Sequence, residues 1–265
     1  MSLRALRVAG KSLALIAVIG TLAPAQALVM ATTGGRGSMR LPRFIHGLLC
    51  RALAIRVEVR GDPVATTHVV YLGNHLSHLD VPVIGSVLDA SFVAKEDVRQ
   101  WPLIGMLCRL QRTVFVSRNP RRAAEVTAAL SSALSSGLRL VIFPEGTTSN
   151  GSAVLPFKSS LFGVLADPAN AHVVVQPMTI ELLEVDDRKV GDGGDRDLYA
   201  YYGEMRLLPH LAAFMRCSGA RLRLTFHPPL PTAGGRQRKE LASLAYARIA
   251  QTANACAIAP PEAPA

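Results

Sequence analysis

The stretch HVVYLGNHLSHLD (residues 68–80) changes backbone periodicity halfway along. Its first part, HVVYLG (68–73), is a short apolar run closed by glycine, the composition of a buried strand. From Ser77 the chain reads as a helix reaching about Leu88, with Ser77 and Asp80 at capping-box spacing. Strand then helix repeats downstream. SFVA (91–94) and TVFVS (113–117) read as strands, with a loop or short helix through Trp101, Pro102 and Gly105 between them. Asn119-Pro120 supplies a cap residue and a first-turn proline, and Gly137 stops the helix they open. LRLVIF (138–143) is a strand ended by Pro144, and HVVVQ (172–176) and RLRLTF (221–226) are two more. A last helix covers about 236–254, and VDDRKVGDGGDRD (185–197) is a surface loop. This alternation predicts an α/β fold with a mixed, largely parallel central sheet flanked by helices.

Upstream, residues 41–56 read as an amphipathic helix, with Ile45, Leu48, Leu49, Ala52 and Leu53 on one face and Arg43 and Arg51 off it. Such a helix either lies on an anionic membrane surface or packs on the core. Before it, Arg4, Arg7 and Lys11 precede an uncharged stretch, 12–35, centred on LALIAVIGTLA. Residues 12–31 approach the ~20 needed to cross a bilayer as a helix. Pro24 is expected to break that helix. Basic residues flank both sides, so charge sets no orientation. Three readings stay open: a spanning helix, a dip into one leaflet, and a secretory signal with Ala25-Gln26-Ala27 as its small-x-small site. The chain thus divides into a membrane anchor segment (1–40), one globular domain (41–254) and an Ala/Pro tail (255–265).

With 265 residues, 49% of them hydrophobic, the chain can bury one core of ordinary size. The net charge of +10 and pI near 10.0 imply anionic partners. No Lys/Arg tract, zinc-finger spacing or RNA-recognition signature is present, so nucleic acid is not expected among them. The four cysteines (50, 108, 217 and 256) form no CxxC pair and suit a reducing, cytosolic face.

Three motifs follow predicted strands, at the edge where α/β sheets bind ligands. In Asn74-His75-Leu76-Ser77-His78-Leu79-Asp80, helical side chains lean back toward the N-terminus, so Asp80 can reach His75. A carboxylate on one imidazole nitrogen leaves the other free to take a proton. No protein nucleophile is needed if the activated hydroxyl belongs to the substrate. A metal site from His75, His78 and Asp80 is the competing reading. In the second motif Arg118 ends a strand just before a helix N-terminus, a phosphate-site arrangement strengthened by Arg121 and Arg122. In the third, Phe143-Pro144-Glu145-Gly146-Thr147-Thr148-Ser149, Gly146 permits close backbone approach and Thr147 and its neighbours offer donors. Lys158 adds a cation nearby or is simply exposed. No G-x-S-x-G elbow marks a hydrolase, and Gly10-Lys11-Ser12 lacks the rest of a nucleotide-binding loop.

NHLSHLD, RTVFVSR, FPEGTTS and Gln176-Pro177, in this order, resemble the four blocks of the glycerolipid acyltransferases, in particular 1-acyl-glycerol-3-phosphate acyltransferases. The resemblance implies a general base at His75, oriented by Asp80. It implies a phosphate ligand at Arg118, substrate placement by Glu145 and Gly146, and a phosphate-binding lysine at Lys158. The implied reaction moves an acyl chain from acyl-CoA or acyl carrier protein to the hydroxyl of lysophosphatidate, forming phosphatidate. It needs no metal or organic cofactor, and it belongs at the cytosolic face of the inner membrane, among membrane lipids. Leu76, Gln111-Arg112 and Ser160 depart from the family pattern and weaken the acceptor assignment. LYAYYGEMRLLPHL (198–211) and the N-terminal anchor also resemble a bacterial branch acting on lyso-ornithine lipid. That acceptor lacks a phosphate, so Arg118 would meet a carboxylate or take another role. A non-catalytic membrane-binding protein is the reading furthest from these, and it would tolerate loss of His75.

Overall fold

The protein is described by a computed structural model covering residues 2–33, 39–117, 119–191, 195–231 and 237–258. Helices α1 (Leu3–Thr32) and α2 (Arg40–Ala52) precede strands β1 (Ile55–Arg60) and β2 (Val69–Gly73). Helix α3 (Asp80–Val87), strand β3 (Ser91–Lys95), helix α4 (Ile104–Leu110) and strand β4 (Val114–Val116) follow. Then come α5 (Ala123–Ser135), β5 (Leu140–Ile142), β6 (Val174–Val185), β7 (Arg188–Lys189), α6 (Leu207–Arg216), β8 (Ala220–Phe226) and α7 (Arg238–Ile258).

The sheet runs β1-β8-β6-β2-β5-β3-β4, with β7 paired to β6. Every pairing from β6 through β2, β5 and β3 to β4 is parallel, and β8 turns antiparallel to β6. The expected mixed, largely parallel sheet is therefore present. Central strand β2 is buried throughout and splits its side chains between two cores. Val69 and Tyr71 join Leu53, Val83, Ile84 and Phe214 on one face. Val70 and Leu72 join Leu130, Leu134, Leu241 and Ile249 on the other. Gln176 locks the edge between β6 and β8. Its Oε1 accepts from Val64 N–H at 2.8 Å, and its Nε2 donates to the carbonyls of Asp62 and His227, both at 2.9 Å.

Several expectations are corrected. The helix expected over 41–56 stops at Ala52. Ala54 takes φ 58, and Ile55, Val57 and Val59 then alternate with charged residues as strand β1. The strand expected to end at Gln176 runs on through Pro177 to Val185. Pro177 has no N–H to give to the ladder, and its carbonyl accepts from His227 N–H at 2.9 Å. The loop at 185–197 contains the short strand β7, helix α6 lies where the sequence pattern predicts no helix, and the loop or short helix expected through Trp101, Pro102 and Gly105 resolves into helix α4 from Ile104.

Pro24 does not break the first helix: α1 continues through it for 30 residues, about 45 Å. The lost backbone bond is offset by anchoring on both sides. Lys11 Nζ donates to the Cys217 carbonyl at 3.0 Å and Gln26 Nε2 to the Leu110 carbonyl at 3.1 Å. Lys11, Ala23 and Gln26 are buried against the domain, while Leu3, Leu6, Leu13, Ile16 and Leu28 are exposed. By length and composition α1 is apolar enough to cross a membrane.

Helices α2 and α3 touch closely where Gly85 faces the buried ring of His46. A Cβ at Gly85 would lie 2.4 Å from that imidazole, inside any van der Waals contact. Gly85→Ala is expected to lower stability by about 1–3 kcal/mol through overpacking, read as a lower thermal midpoint. An unchanged midpoint would show that the two helices have room to give at this contact.

Candidate active site

The parallel register brings the first and third motifs together. Leu72 of β2 lies opposite Ile142 of β5, so the residues that leave both strands emerge side by side. His75 and Phe143 meet there with ring centroids 3.8 Å apart and planes 7° from parallel. Asn74 fixes the exit of β2 by a reciprocal pair with Ile180 of β6. Its Nδ2 donates to the Ile180 carbonyl at 2.9 Å, and its Oδ1 accepts from Ile180 N–H at 2.8 Å.

Asp80 opens α3 and reaches back, as its position in the first turn demands. Its Oδ2 lies 2.8 Å from His75 Nδ1 and accepts from the backbone N–H of Leu76 at 2.7 Å and of Ser77 at 3.0 Å. Its Oδ1 accepts from the hydroxyl of Tyr199 at 2.9 Å. Only half of the expected capping box forms, because Ser77 Oγ accepts from Leu79 N–H rather than from Asp80 N–H. The Asp80 side chain is 0% exposed and that of His75 is 18% exposed. An acceptor-only carboxylate at Nδ1 requires the proton there, which leaves Nε2 as the basic nitrogen. Among the described residues no hydrogen bond occupies that Nε2. The pair is therefore built to take a proton from a hydroxyl that approaches Nε2.

Glu145 secures the other side of the motif. Its Oε1 accepts from His75 N–H at 2.7 Å and its Oε2 from Leu155 N–H at 2.8 Å. His75 is thus held through its backbone by one buried carboxylate and through its ring by another. Ser149 N–H donates to the His75 carbonyl at 2.9 Å and completes the tie between the two motifs. Gly146 adopts φ +67, and a Cβ there would lie 2.8 Å from Lys158 Nζ. The exposed lysine is thereby placed over the glycine, with its backbone N–H bonded to the Pro144 carbonyl at 2.8 Å. Thr147 is exposed beside them.

Arg118 lies outside the described residues. Its neighbours are defined: β4 ends at Val116, and Asn119 Oδ1 accepts from Arg121 N–H at 3.0 Å. Arg122 is not a free anion ligand, because it is paired with Glu96 and Glu125, each at 2.8 Å. The rings of Tyr201 and His210 stand against His78, at 5.1 and 5.2 Å between centroids. Among the described residues no group of three or more His, Cys, Asp or Glu could hold a metal ion. Phe143 and Tyr199 are site residues that the motif reading missed. Phe143 opens the third motif but is given no role there, and Tyr199 lies 119 residues from its partner.

Burial raises the Glu145 carboxyl from the usual carboxylate range to about 7, against the two backbone donors, which favour its charged form. The folded protein therefore keeps a proton that the unfolded chain loses as pH rises from 4.5 to about 7. The stability tied to that proton is present below 4.5 and is lost as pH rises through about 7. Glu145→Gln does not titrate. From pH 4.5 to about 7 the wild-type thermal midpoint is expected to fall relative to the variant's, by the equivalent of up to about 3 kcal/mol. Melting curves collected across this range test the point, and parallel midpoints for the two proteins would contradict it.

The arrangement can be set beside known proteins. Residues 56–181 match the Acyltransferase family model. A lyso-ornithine lipid O-acyltransferase of Brucella abortus is 34% identical over 89% of this chain and 90% of its own length. A 1-acyl-sn-glycerol-3-phosphate acyltransferase of Neisseria gonorrhoeae is 39% identical over 46% of this chain and 49% of its own. The crystal structure of the 1-acyl-sn-glycerophosphate (LPA) acyltransferase PlsC from Thermotoga maritima superposes with a TM-score of 0.67 at 21% identity. It covers 98% of this chain and 100% of that one, and shares the fold. With its His–Asp pair at the carboxyl edge of that sheet, this chain belongs to the acyltransferase family.

Proposed function

We propose that the protein acylates lyso-ornithine lipid, drawing the acyl chain from a thioester of coenzyme A or acyl carrier protein. One observation supports this acceptor over lysophosphatidate. The likeness to a lyso-ornithine lipid enzyme runs over 89% of the chain, whereas the likeness to the Neisseria lysophosphatidate enzyme runs over 46%. The longer likeness extends past the matched family region, 56–181. Beyond that region lies 198–211, whose Tyr199 and Tyr201 touch the NHLSHLD motif.

In the proposed reaction His75 Nε2 takes the proton of the acceptor hydroxyl as its oxygen attacks the thioester carbonyl. The tetrahedral adduct collapses with cleavage of the C–S bond, and the imidazolium returns its proton to the departing thiolate. An ester and a free thiol result. No metal or organic cofactor enters this scheme. Asp80 orients the base, and Glu145 and Gly146 place the acceptor by fixing His75 and Lys158. Arg118 and Lys158 bind an anionic group of the acceptor's headgroup, the carboxylate in lyso-ornithine lipid. The second reading keeps every step and substitutes lysophosphatidate, whose phosphate would occupy the same cations. It is supported by the 39% identity with the Neisseria enzyme.

The setting we propose is the cytosolic face of the inner membrane. Support comes from α1, whose exposed leucines and isoleucine face away from a domain that holds Lys11, Ala23 and Gln26. A helix held to its domain at residues 11 and 26 favours a retained anchor lying in one leaflet over a cleaved signal.

The full-length protein in detergent, given labelled acyl-CoA or acyl carrier protein, is offered lyso-ornithine lipid and lysophosphatidate in parallel. Acylated lyso-ornithine lipid is the expected product, and His75→Ala is expected to slow its formation by about 10²–10⁴-fold. Phosphatidate alone would replace the first reading by the second. No transfer to either acceptor by folded protein would overturn both.

A further inference from the structure

Tyr199 lies in the stretch 198–211, outside the four blocks and beyond the residues the family model matches, 56–181. It is nonetheless in contact with the candidate acid–base pair. Its side chain has no solvent exposure, its ring packs edge-on to Phe214 with centroids 6.0 Å apart, and its hydroxyl donates to Asp80 Oδ1 at 2.9 Å. Two residues on, Tyr201 N–H donates to the Leu76 carbonyl at 2.9 Å. The segment between β7 and α6 is thus fastened to the NHLSHLD motif at two points.

We propose that Tyr199 is a positioning residue for this pair: it holds Asp80 Oδ1, commits Oδ2 to His75 Nδ1, and so keeps Nε2 aimed at the acceptor hydroxyl. The reason is the symmetry of a carboxylate. Its two oxygens are chemically equivalent, and the terminal torsion of aspartate is broad. Only distinct partners can fix which oxygen faces the imidazole, and at what tilt. Oδ2 has three donors, His75 Nδ1 and the N–H groups of Leu76 and Ser77. Among the described residues Oδ1 has only the Tyr199 hydroxyl. Without it, a fully buried oxygen lacks a donor, and the carboxylate gains by tilting to share the donors of Oδ2. His75 would tilt with it. Misplacing a reacting group by about 1 Å costs on the order of 10²-fold in rate.

This inference rests on the His75–Asp80 pair being the base, so the experiment includes variants that separate the two. Tyr199→Phe removes one oxygen and leaves the ring in its seat. Phe214→Leu disturbs the ring's packing and leaves the hydrogen bond. Activity per folded molecule is measured for each, for His75→Ala, and for Tyr199→Phe in an Asp80→Asn background. The donor is acyl-CoA, and the acceptor is the one the wild type turns over. Y199F is expected to lower kcat by about 10–100-fold and to leave KM for both substrates within threefold. The same change is expected to cost less than twofold in D80N, because its only route to the chemistry is already removed. F214L is expected to lower the melting midpoint and keep kcat within about threefold. A Y199F kcat within twofold of wild type, an equal loss in both backgrounds, or an equal loss from F214L would each overturn the proposal. Full activity in H75A would remove the base assignment itself, and this inference with it.

Discussion

Asp80 has no access to solvent, and its two oxygens accept four hydrogen bonds from His75, Leu76, Ser77 and Tyr199. A carboxylate buried without such partners is costly, so each donor is held where it stands. Two come from the backbone that links β2 to α3, one from the imidazole, and one from a tyrosine far along the chain. Around this group the strand-to-helix turn can take only one shape. Glu145 repeats the device from the neighbouring strand, gripping the backbone of His75 and Leu155. His75, held by Asp80 through its ring and by Glu145 through its backbone, and stacked on Phe143, has little freedom left. That rigidity is what a general base needs if a hydroxyl is to meet it at hydrogen-bonding distance.

The sheet makes this convergence cheap. Adjacent parallel strands β2 and β5 deliver His75 and Phe143 to one edge with no special loop geometry. This part was legible in the sequence. HVVYLG and LRLVIF are apolar runs closed by glycine or proline, and the strand–helix alternation around them implies parallel pairing. The Asp80–His75 bond was legible as well, because both residues fall within one local turn. Strand β1 was hidden because IRVEVR continues the basic, apolar mixture of α2, and only the positive φ at Ala54 separates them. Helix α6 was hidden behind Pro209 and the irregular residues before it. The Tyr199–Asp80 bond has no local signature at all, since it depends on how β6, α6 and β8 fold the chain back over the motif.

The same return of the chain links the site to the apolar N-terminal helix. Helix α6 carries Phe214, which packs on Tyr199 and lies 5.3 Å beneath Lys11 of α1. A cation–ring contact and an edge-on aromatic pair therefore join the apolar N-terminal helix to the tyrosine that holds Asp80. In the proposed reaction the lipid acceptor and the acyl donor meet at His75. With α1 in one leaflet, as proposed, a base tied in this way to that helix is held in a fixed place relative to the bilayer surface.

The central claim is that Asp80 sets the protonation pattern of His75, with the proton on Nδ1 and Nε2 bare. Nitrogen NMR of the full-length protein in detergent, with histidine labelled at both ring nitrogens and His75 assigned by its loss in a His75→Ala sample, reads this tautomer directly. The expected spectrum shows His75 Nδ1 protonated and Nε2 unprotonated, with that preference lost in Asp80→Asn. A proton on Nε2 in the wild-type protein would contradict the account, because that nitrogen could then accept nothing from a substrate hydroxyl.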